Sequence, residues 1–198
     1  VLNLKTEELA YKYRNQKVCG VDLAGGESLF AGTLYTKVFD LAKAYKLNIT
    51  IHAGESTGND EILTAIKNGA TRIGHGVHLS LEKENVDFIL KKNILFEFCP
   101  TSNLQTKSLK NYESVPLKKF MELGIPVCIN SDNMTVSNTD QIKEIKHMIA
   151  TFKLSKNEVY NLYKNALEHC FIEENKRENI LNHLKVNFDT FYNKIIND

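Results

Sequence analysis

Five short apolar runs recur along this chain of 198 residues, and segments with helical periodicity separate them. Successive runs are spaced by roughly 25 residues, which is enough for a helix to cross between two parallel strands. Near-continuous apolar strands that alternate with amphipathic helices are typical of a parallel sheet buried on both faces. The predicted fold class is therefore α/β, with strands at residues 18–23, 48–52, 71–75, 94–98 and 127–130.

Capping residues predict where several helices begin. Asn59 is expected to cap the helix after the second strand, and Ser80 is expected to open the next helix in the same way. Ser155 and Glu158 have the spacing of a capping box. A charged helix is expected from about Glu173 to the end of the chain.

Composition narrows the partners and the compartment. The chain has 25 Lys and Arg against 24 Asp and Glu, a formal net charge of +1, so charge gives no reason to expect a nucleic-acid or anionic-membrane partner. No signal peptide or apolar span of about 18 residues is evident, and we expect a cytoplasmic protein. The cysteines form no C-x-x-C pair, and three lie in apolar strand-like runs where a thiol acts as a small hydrophobe; the four are Cys19, Cys99, Cys128 and Cys170.

Every predicted strand has polar side chains at or just after its carboxyl end. In parallel α/β proteins, and above all in (β/α)8 barrels, the carboxyl ends of the strands bind ligands and carry catalytic groups. The polar residues at these ends are Asp22, His52, His75, the segment 99–103 and Asp132.

Three of these strand ends carry candidate catalytic groups. A histidine alone is more often a satisfied core residue, but His52 is followed by Gly54 and Glu55, which places a carboxylate near the same pocket. His75 lies between two glycines, whose missing side chains allow close approach to the imidazole, although a core histidine remains an alternative. Asp132 follows a buried run, where a carboxylate needs a cation or hydrogen-bond donors.

The remaining histidines have ordinary roles in this interpretation. His78 is read as a loop residue, and His147, His169 and His183 lie in helical segments.

These residue types fit a catalytic zinc ion. Such an ion takes three or more N or O ligands and leaves a position for water. His52 and Asp132, with His75 as a third candidate, can supply part of that shell, and Glu55 is placed to move a proton. The chain has no G-x-S-x-G elbow and no glycine-rich phosphate loop, which argues against serine-hydrolase and nucleotide-phosphate chemistry.

The motifs GVDLAGGE, HAGE, RIGHGVHL, FEFCPTSN and INSDN, in this order, resemble the motif blocks of the adenosine deaminases. The resemblance covers residues 18 to about 138. It implies a (β/α)8 TIM barrel that binds one Zn²⁺ and hydrolyses the 6-amino group of a purine. The five strands are similar to the fourth to eighth strands of that barrel.

The resemblance also assigns roles to single residues. His52 and Asp132 are similar to zinc ligands, Glu55 to the acid that protonates purine N1, and His75 to the histidine that polarises the metal-bound hydroxide. Gly25 matches the glycine whose backbone donates to purine N3. Asp22 is at most a neighbour of the metal ligands.

Two departures from the family pattern matter. Asn133 stands where many members have a second aspartate, and its NH2 group can donate to purine N7. The family's first strand ends in a His-x-His pair, and this sequence contains none. We therefore expect residues 1–198 to be the C-terminal portion of a single deaminase barrel domain, one that needs an N-terminal segment to complete it.

The implied function is deamination of adenosine, and of 2'-deoxyadenosine, to inosine and ammonia in purine salvage. The expected partner is a small purine nucleoside. Deamination of adenine, AMP or an N6-substituted adenine nucleotide remains an alternative, as does a non-catalytic binding module.

Overall fold

A computed structural model describes residues 2–197 of the chain, and five strands lie in that range. Each falls on a predicted apolar run, with ends that differ from the prediction by at most two residues. The strands are β1 (Gly20–Leu23), β2 (Asn48–Ala53), β3 (Arg72–His75), β4 (Leu95–Phe98) and β5 (Val127–Ile129).

The strands are hydrogen-bonded in sequence order, β1-β2-β3-β4-β5, as predicted. Pairing is parallel between β1 and β2, where Val21 is opposite Ile49, and between β2 and β3, where Ile51 is opposite Ile73. Within residues 2–197, no strand pairs with the outer side of β1. A groove of about 510 Å³ lies beside β1, and its lining includes Leu9.

Helices connect the strands and follow the last of them. They are α1 (Leu2–Tyr13), α2 (Thr36–Ala44), α3 (Asn59–Lys67), α4 (Lys83–Lys92), α5 (Pro100–Gln105), α6 (Leu117–Glu122), α7 (Met134–Ser137), α8 (Gln141–Phe152), α9 (Lys156–Glu168) and α10 (Glu174–Asn197). Short 3-10 helices occupy residues 32–35 and 112–114. None of these described helices is long and apolar enough to cross a membrane.

The chain forms two compact units, residues 1–96 and 97–198, and the boundary between them falls within β4. Each unit has its own set of fully buried apolar side chains. In the first unit these include Ile62, Ile73 and Ile89, and in the second they include Phe98, Phe120, Leu117, Ile145 and Met148. The edge-to-face contact between Phe98 and Phe120, with ring centroids 4.9 Å apart, joins β4 to α6 in the second unit.

Two predicted helix starts are wrong. The residue that precedes α3 is Gly58, and Asn59 is the first residue of the helix. Instead of capping, Asn59 accepts a hydrogen bond from the backbone N–H of Ser80, at 3.2 Å. Ser80 does not open the next helix either, because α4 begins at Lys83 and the residue that precedes it is Glu82.

The capping box at the start of α9 is confirmed. The Ser155 hydroxyl accepts from the Glu158 N–H, and the Glu158 carboxylate accepts from the Ser155 N–H. Lys118 forms an ion pair with the same carboxylate, which ties the start of α9 to α6. The charged helix is also confirmed: it begins at Glu174 and runs to Asn197.

The expectation that the strand cysteines are buried is correct for two of them. Cys99 and Cys128 are buried thiols, whereas Cys19 is exposed. Cys19 precedes β1, which begins at Gly20 and contains no buried residue itself.

The backbone at Gly76 predicts a large cost for any side chain. Gly76 has φ +66°, and an added Cβ would lie 2.3 Å from Cδ1 of the fully buried Phe96. Gly124 is a matched control, because it has φ +73° and nothing within 4 Å of its added Cβ. We expect Gly124→Ala to lose about 1–2 kcal/mol from the left-handed backbone alone, and Gly76→Ala to lose a further 1–3 kcal/mol or so from overpacking. Urea unfolding of both variants measures the difference, and equal losses would contradict the close approach.

Candidate active site

His52 and His75 lie side by side at the carboxyl ends of β2 and β3. Their ring centroids are 5.2 Å apart. The parallel register puts His52 opposite Gly74, and a Cβ at Gly74 would lie 3.1 Å from the His52 ring. The space that the missing side chain of Gly74 leaves is therefore occupied by the imidazole of His52.

His75 adopts an unusual backbone conformation. Its φ of +62° is in the left-handed region, which non-glycine residues seldom adopt and which is common at functional sites. The imidazole is buried, with 2% of the side chain exposed. Its Nε2 lies 3.6 Å from Oε2 of Glu55, so the carboxylate predicted to move a proton is next to this histidine.

The side chain of Asp22 orients His52. Oδ1 of Asp22 lies 3.2 Å from Nδ1 of His52. In metal sites a carboxylate commonly accepts from one ring nitrogen of a histidine, which leaves the other nitrogen as the metal-binding atom. Asp22 is thus a hydrogen-bond partner of the His52 imidazole.

A cleft of about 420 Å³ lies at this end of the first unit. Its lining includes Asp22, Gly25, Glu27 and His52. Gly25 has φ +144°, a conformation that favours glycine and that turns the loop after β1. The loop that contains Gly25, the residue that the resemblance assigns to purine N3, therefore lines part of this cleft.

Asp132 and Asn133 belong to the second unit and follow β5. The expectation that Asp132 is buried is wrong: β5 ends at Ile129, three residues earlier, and Asp132 is exposed with φ +51°. Its Oδ2 accepts a hydrogen bond from the Ser102 hydroxyl at 2.6 Å. Asn133 caps α7 by accepting from the Val136 N–H at 2.9 Å, which occupies its Oδ1 and leaves the NH2 group as a donor.

Cys99 is not suited to nucleophilic chemistry. Burial, followed by the negative charge of Asp132, raises the pKa of its thiol far above the ordinary value, so it stays protonated at neutral pH.

The donor atoms agree only in part with a zinc site. The imidazole of His52, held by a carboxylate, has the chemistry of a zinc ligand. A zinc site needs three or more protein donors, however. In the part of the chain that the structure describes, no three His, Cys, Asp or Glu side chains are grouped so that they could hold a metal ion.

The sequence did not single out Glu27, whose carboxylate accepts several hydrogen bonds at this site. Its carboxylate accepts the backbone N–H groups of four successive residues, 54 to 57, in the turn that carries Glu55. The hydroxyls of Ser56 and Thr57 also donate to it. Burial raises the pKa of this carboxylate, but the hydrogen bonds from residues 54–57 outweigh burial and hold the pKa of Glu27 below its ordinary value.

His78 has more than a loop role. Both its backbone N–H and its ring Nδ1 lie 3.2 Å from the carbonyl oxygen of Gly54. The peptide group between Gly54 and Glu55 is therefore bonded on both sides, by His78 at the Gly54 carbonyl and by Glu27 at the Glu55 N–H. No motif rule marks such a contact, because its partner is a backbone atom 24 residues away in the sequence.

The other three histidines have the ordinary roles that were expected. His147 stacks on Tyr112, His169 ends α9 with Nδ1 2.9 Å from the Asn165 carbonyl, and His183 contacts Asn187 within α10.

Comparison with protein families gives one match, to the family described as adenosine deaminase, over residues 2–187. The adenosine deaminase of Enterococcus faecalis is 38% identical over 174 residues, which is 88% of this chain and 52% of that protein. The adenosine deaminase of Clostridium acetobutylicum is 39% identical over 177 residues, 89% of this chain and 53% of that protein. The chain thus spans about half the length of the curated relatives it matches.

Solved structures show the same fold. The N6-methyl-AMP deaminase from Arabidopsis thaliana superposes with a TM-score of 0.82 at 26% identity, over 95% of this chain and 54% of that chain. A zinc-bound amidohydrolase from Burkholderia ambifaria has a TM-score of 0.88 at 18% identity, over 99% of this chain and 55% of that chain; the likeness shows the fold alone. The fold class is therefore confirmed as α/β, that of the (β/α)8 barrel deaminases.

The lowered pKa of Glu27 predicts how its contribution to stability depends on pH. A carboxylate whose pKa is lower in the folded state stabilises the fold above the unfolded pKa, about 4.3 for glutamate, and loses this effect as pH falls through the folded value. We expect wild type to be more stable than Glu27→Gln by a constant amount from pH 7 to about pH 5, and by a shrinking amount below pH 4.3 or so. Urea unfolding at several pH values measures the difference. A gap that widens as pH falls would show that the folded pKa is raised.

Proposed function

Because this chain belongs to the adenosine deaminase family, we propose that it forms the C-terminal portion of a zinc-dependent enzyme that converts adenosine, and 2'-deoxyadenosine, to inosine and ammonia. The observation that carries the proposal is the group at the ends of β2 and β3: His52 and His75 with rings 5.2 Å apart, and Glu55 3.6 Å from His75. In this proposal His52 is a ligand and His75 and Glu55 transfer protons; support comes from their proximity to one another and from the cleft of about 420 Å³ that His52 lines.

Two residues are the proposed zinc ligands in this chain. His52 would bind through Nε2, since Asp22 holds Nδ1. Asp132 would bind through its carboxylate, which the Ser102 hydroxyl keeps oriented. Bound zinc lowers the pKa of a coordinated water to about 7 and so supplies a nucleophile at neutral pH. The other ligands of a complete site would come from a segment that includes the family's His-x-His pair.

The proton transfers follow from the positions of Glu55 and His75. The Glu55 carboxyl donates its proton to purine N1, which makes C6 electrophilic. His75 takes a proton from the attacking water as the oxygen bonds to C6. In the second half of the reaction His75 returns this proton to the leaving 6-amino group, which departs as ammonia when the C6–N6 bond breaks. Glu55 takes back a proton from the new hydroxyl, and the carbonyl of inosine forms.

The purine would be held by backbone and amide groups. The Gly25 N–H would donate to N3, and Gly25 lines the cleft together with His52. The NH2 of Asn133 would donate to N7, and its orientation is favoured because Oδ1 accepts from Val136. The higher identity to adenosine deaminases than to the N6-methyl-AMP deaminase supports a nucleoside substrate.

The proposed setting is purine salvage in the cytoplasm, with residues 1–198 forming part of a single barrel domain. The test uses the protein translated from the complete reading frame that contains this sequence, purified with zinc and assayed with adenosine. Turnover supports the enzyme. A protein that binds purine nucleosides without turnover is instead the non-catalytic binding module.

The assignment of Glu55 as the acid predicts the behaviour of Glu55→Gln. We expect kcat for adenosine to fall by ~10² to 10⁴-fold, the usual contribution of general acid catalysis, while zinc content stays at the wild-type level. Glu84→Gln, a change at an exposed position in the first turn of α4, is the control and should keep wild-type kcat. An unchanged rate in Glu55→Gln would rule out this role.

The assignment of Asn133 predicts a loss that depends on the substrate. Asn133→Leu leaves purine N7 without a donor, which should weaken adenosine binding by ~1–3 kcal/mol. The substitution also removes the cap of α7, and 7-deazaadenosine, which lacks the N7 acceptor, corrects for that loss. Inhibition or binding constants for both nucleosides give the comparison. Equal penalties on the two nucleosides would show that Asn133 does not contact N7.

A further inference from the structure

Glu27 connects two loops that come from different strands. It lies in the loop after β1, two residues beyond Gly25, and its carboxylate bonds to the turn after β2 that carries Glu55. Oε2 is 3.1 Å from the Glu55 N–H and 2.9 Å from the Ser56 N–H. Oε1 accepts from the Gly54 N–H and from the Thr57 hydroxyl. The Glu27 side chain, from the loop after β1, thus accepts hydrogen bonds from the backbone N–H groups of the whole turn after β2, residues 54–57.

The turn is also held from the opposite side. The Gly54 carbonyl accepts from the loop after β3, at His78, while the Glu55 N–H, in the same peptide group, donates to Glu27. Three successive strand-end loops therefore meet at one peptide group. With its N–H and C=O both bonded, this peptide has little freedom to rotate, and its N–H belongs to Glu55 itself.

We propose that Glu27 is a positioning residue that sets Glu55 and the Gly25 backbone at the separation required to meet N1 and N3 of one purine ring. The inference rests on the proposed function, which assigns N3 to Gly25 and N1 to Glu55. These two atoms belong to the same six-membered ring, with one carbon between them. The groups that meet them come from separate loops, and Glu27 is covalently part of the first loop and hydrogen-bonded to the second.

The size of the effect follows from the geometry of proton transfer. A catalytic group displaced by about 1 Å can lose ~10²-fold in rate. Glu27→Gln keeps the length of the side chain but replaces one acceptor oxygen with an NH2 group, which faces N–H or O–H donors and cannot accept from them. The turn then loses part of its bonding on one side, while the bond to His78 remains.

Hydrogen exchange on the complete protein tests the contact without any substrate. In Glu27→Gln we expect the amides of residues 54–57 to exchange faster by about tenfold or more, because bonds to a charged acceptor are among the stronger ones. Glu61→Gln is the matched control: Glu61 accepts a single backbone N–H, from Gly32 at 2.7 Å, in the same unit. That variant should speed exchange at Gly32 and leave residues 54–57 unchanged.

Kinetics on the complete protein test the consequence for the purine. We expect Glu27→Gln to lower kcat for adenosine by ~10²-fold. We also expect wild type to prefer adenosine over 3-deazaadenosine, which lacks the N3 acceptor, and Glu27→Gln to lose this preference. Preference over 7-deazaadenosine should persist, since Asn133 is in the other unit. A residue that only stabilises the fold would lower the amount of active protein without changing either ratio.

Each outcome has a separate meaning. Unchanged exchange at residues 54–57, or an unchanged adenosine to 3-deazaadenosine ratio in an active variant, overturns the positioning role. A wild-type protein that neither binds nor deaminates adenosine overturns the proposed function and the purine part of this inference, and hydrogen exchange then still decides whether Glu27 holds the turn. If Glu27→Gln does not accumulate as folded protein, Glu27→Asp, which keeps the charge but shortens the reach, is measured in both experiments with the same expected directions.

Discussion

The parallel pairing of β2 with β3 is the constraint on which the candidate active site depends. Its register places His52 opposite Gly74 and Ala53 opposite His75. Side chains alternate along a strand, so this register alone would direct the two histidines to opposite faces of the sheet. The left-handed backbone at His75 ends the alternation, and the two rings come within 5.2 Å.

Burial explains which parts of the fold were predictable. The strands were recognisable as short apolar runs, of which β5 is buried at every residue, and their order followed from the helical segments between them. The starts of α3 and α4 were not predictable, because capping rules are local. Asn59 accepts from the backbone of Ser80, 21 residues away, and this contact replaces the cap that each residue could have formed alone.

The same limit applies to the site. His52, Glu55 and His75 were identifiable because titratable groups at the ends of neighbouring strands lie together. Asp132 was also identified, but its exposure was not foreseen, since the sequence does not show that β5 ends three residues before it. Glu27 was not identified, and His78 was read as a loop residue, because both bind backbone atoms, which every residue has. Only the folded chain shows which N–H and C=O groups they reach.

The approach of His52 to Gly74 joins two positions that are far apart in the sequence. An added Cβ at residue 74 would displace the imidazole by a few tenths of an ångström, and a longer side chain would displace it beyond the roughly 0.5 Å that a catalytic constellation tolerates. The two positions are therefore not free to diverge separately over evolution. A lineage that acquires a larger residue at 74 would have to change residue 52 as well, and a lineage that gives up the histidine at 52 would release the requirement for glycine at 74.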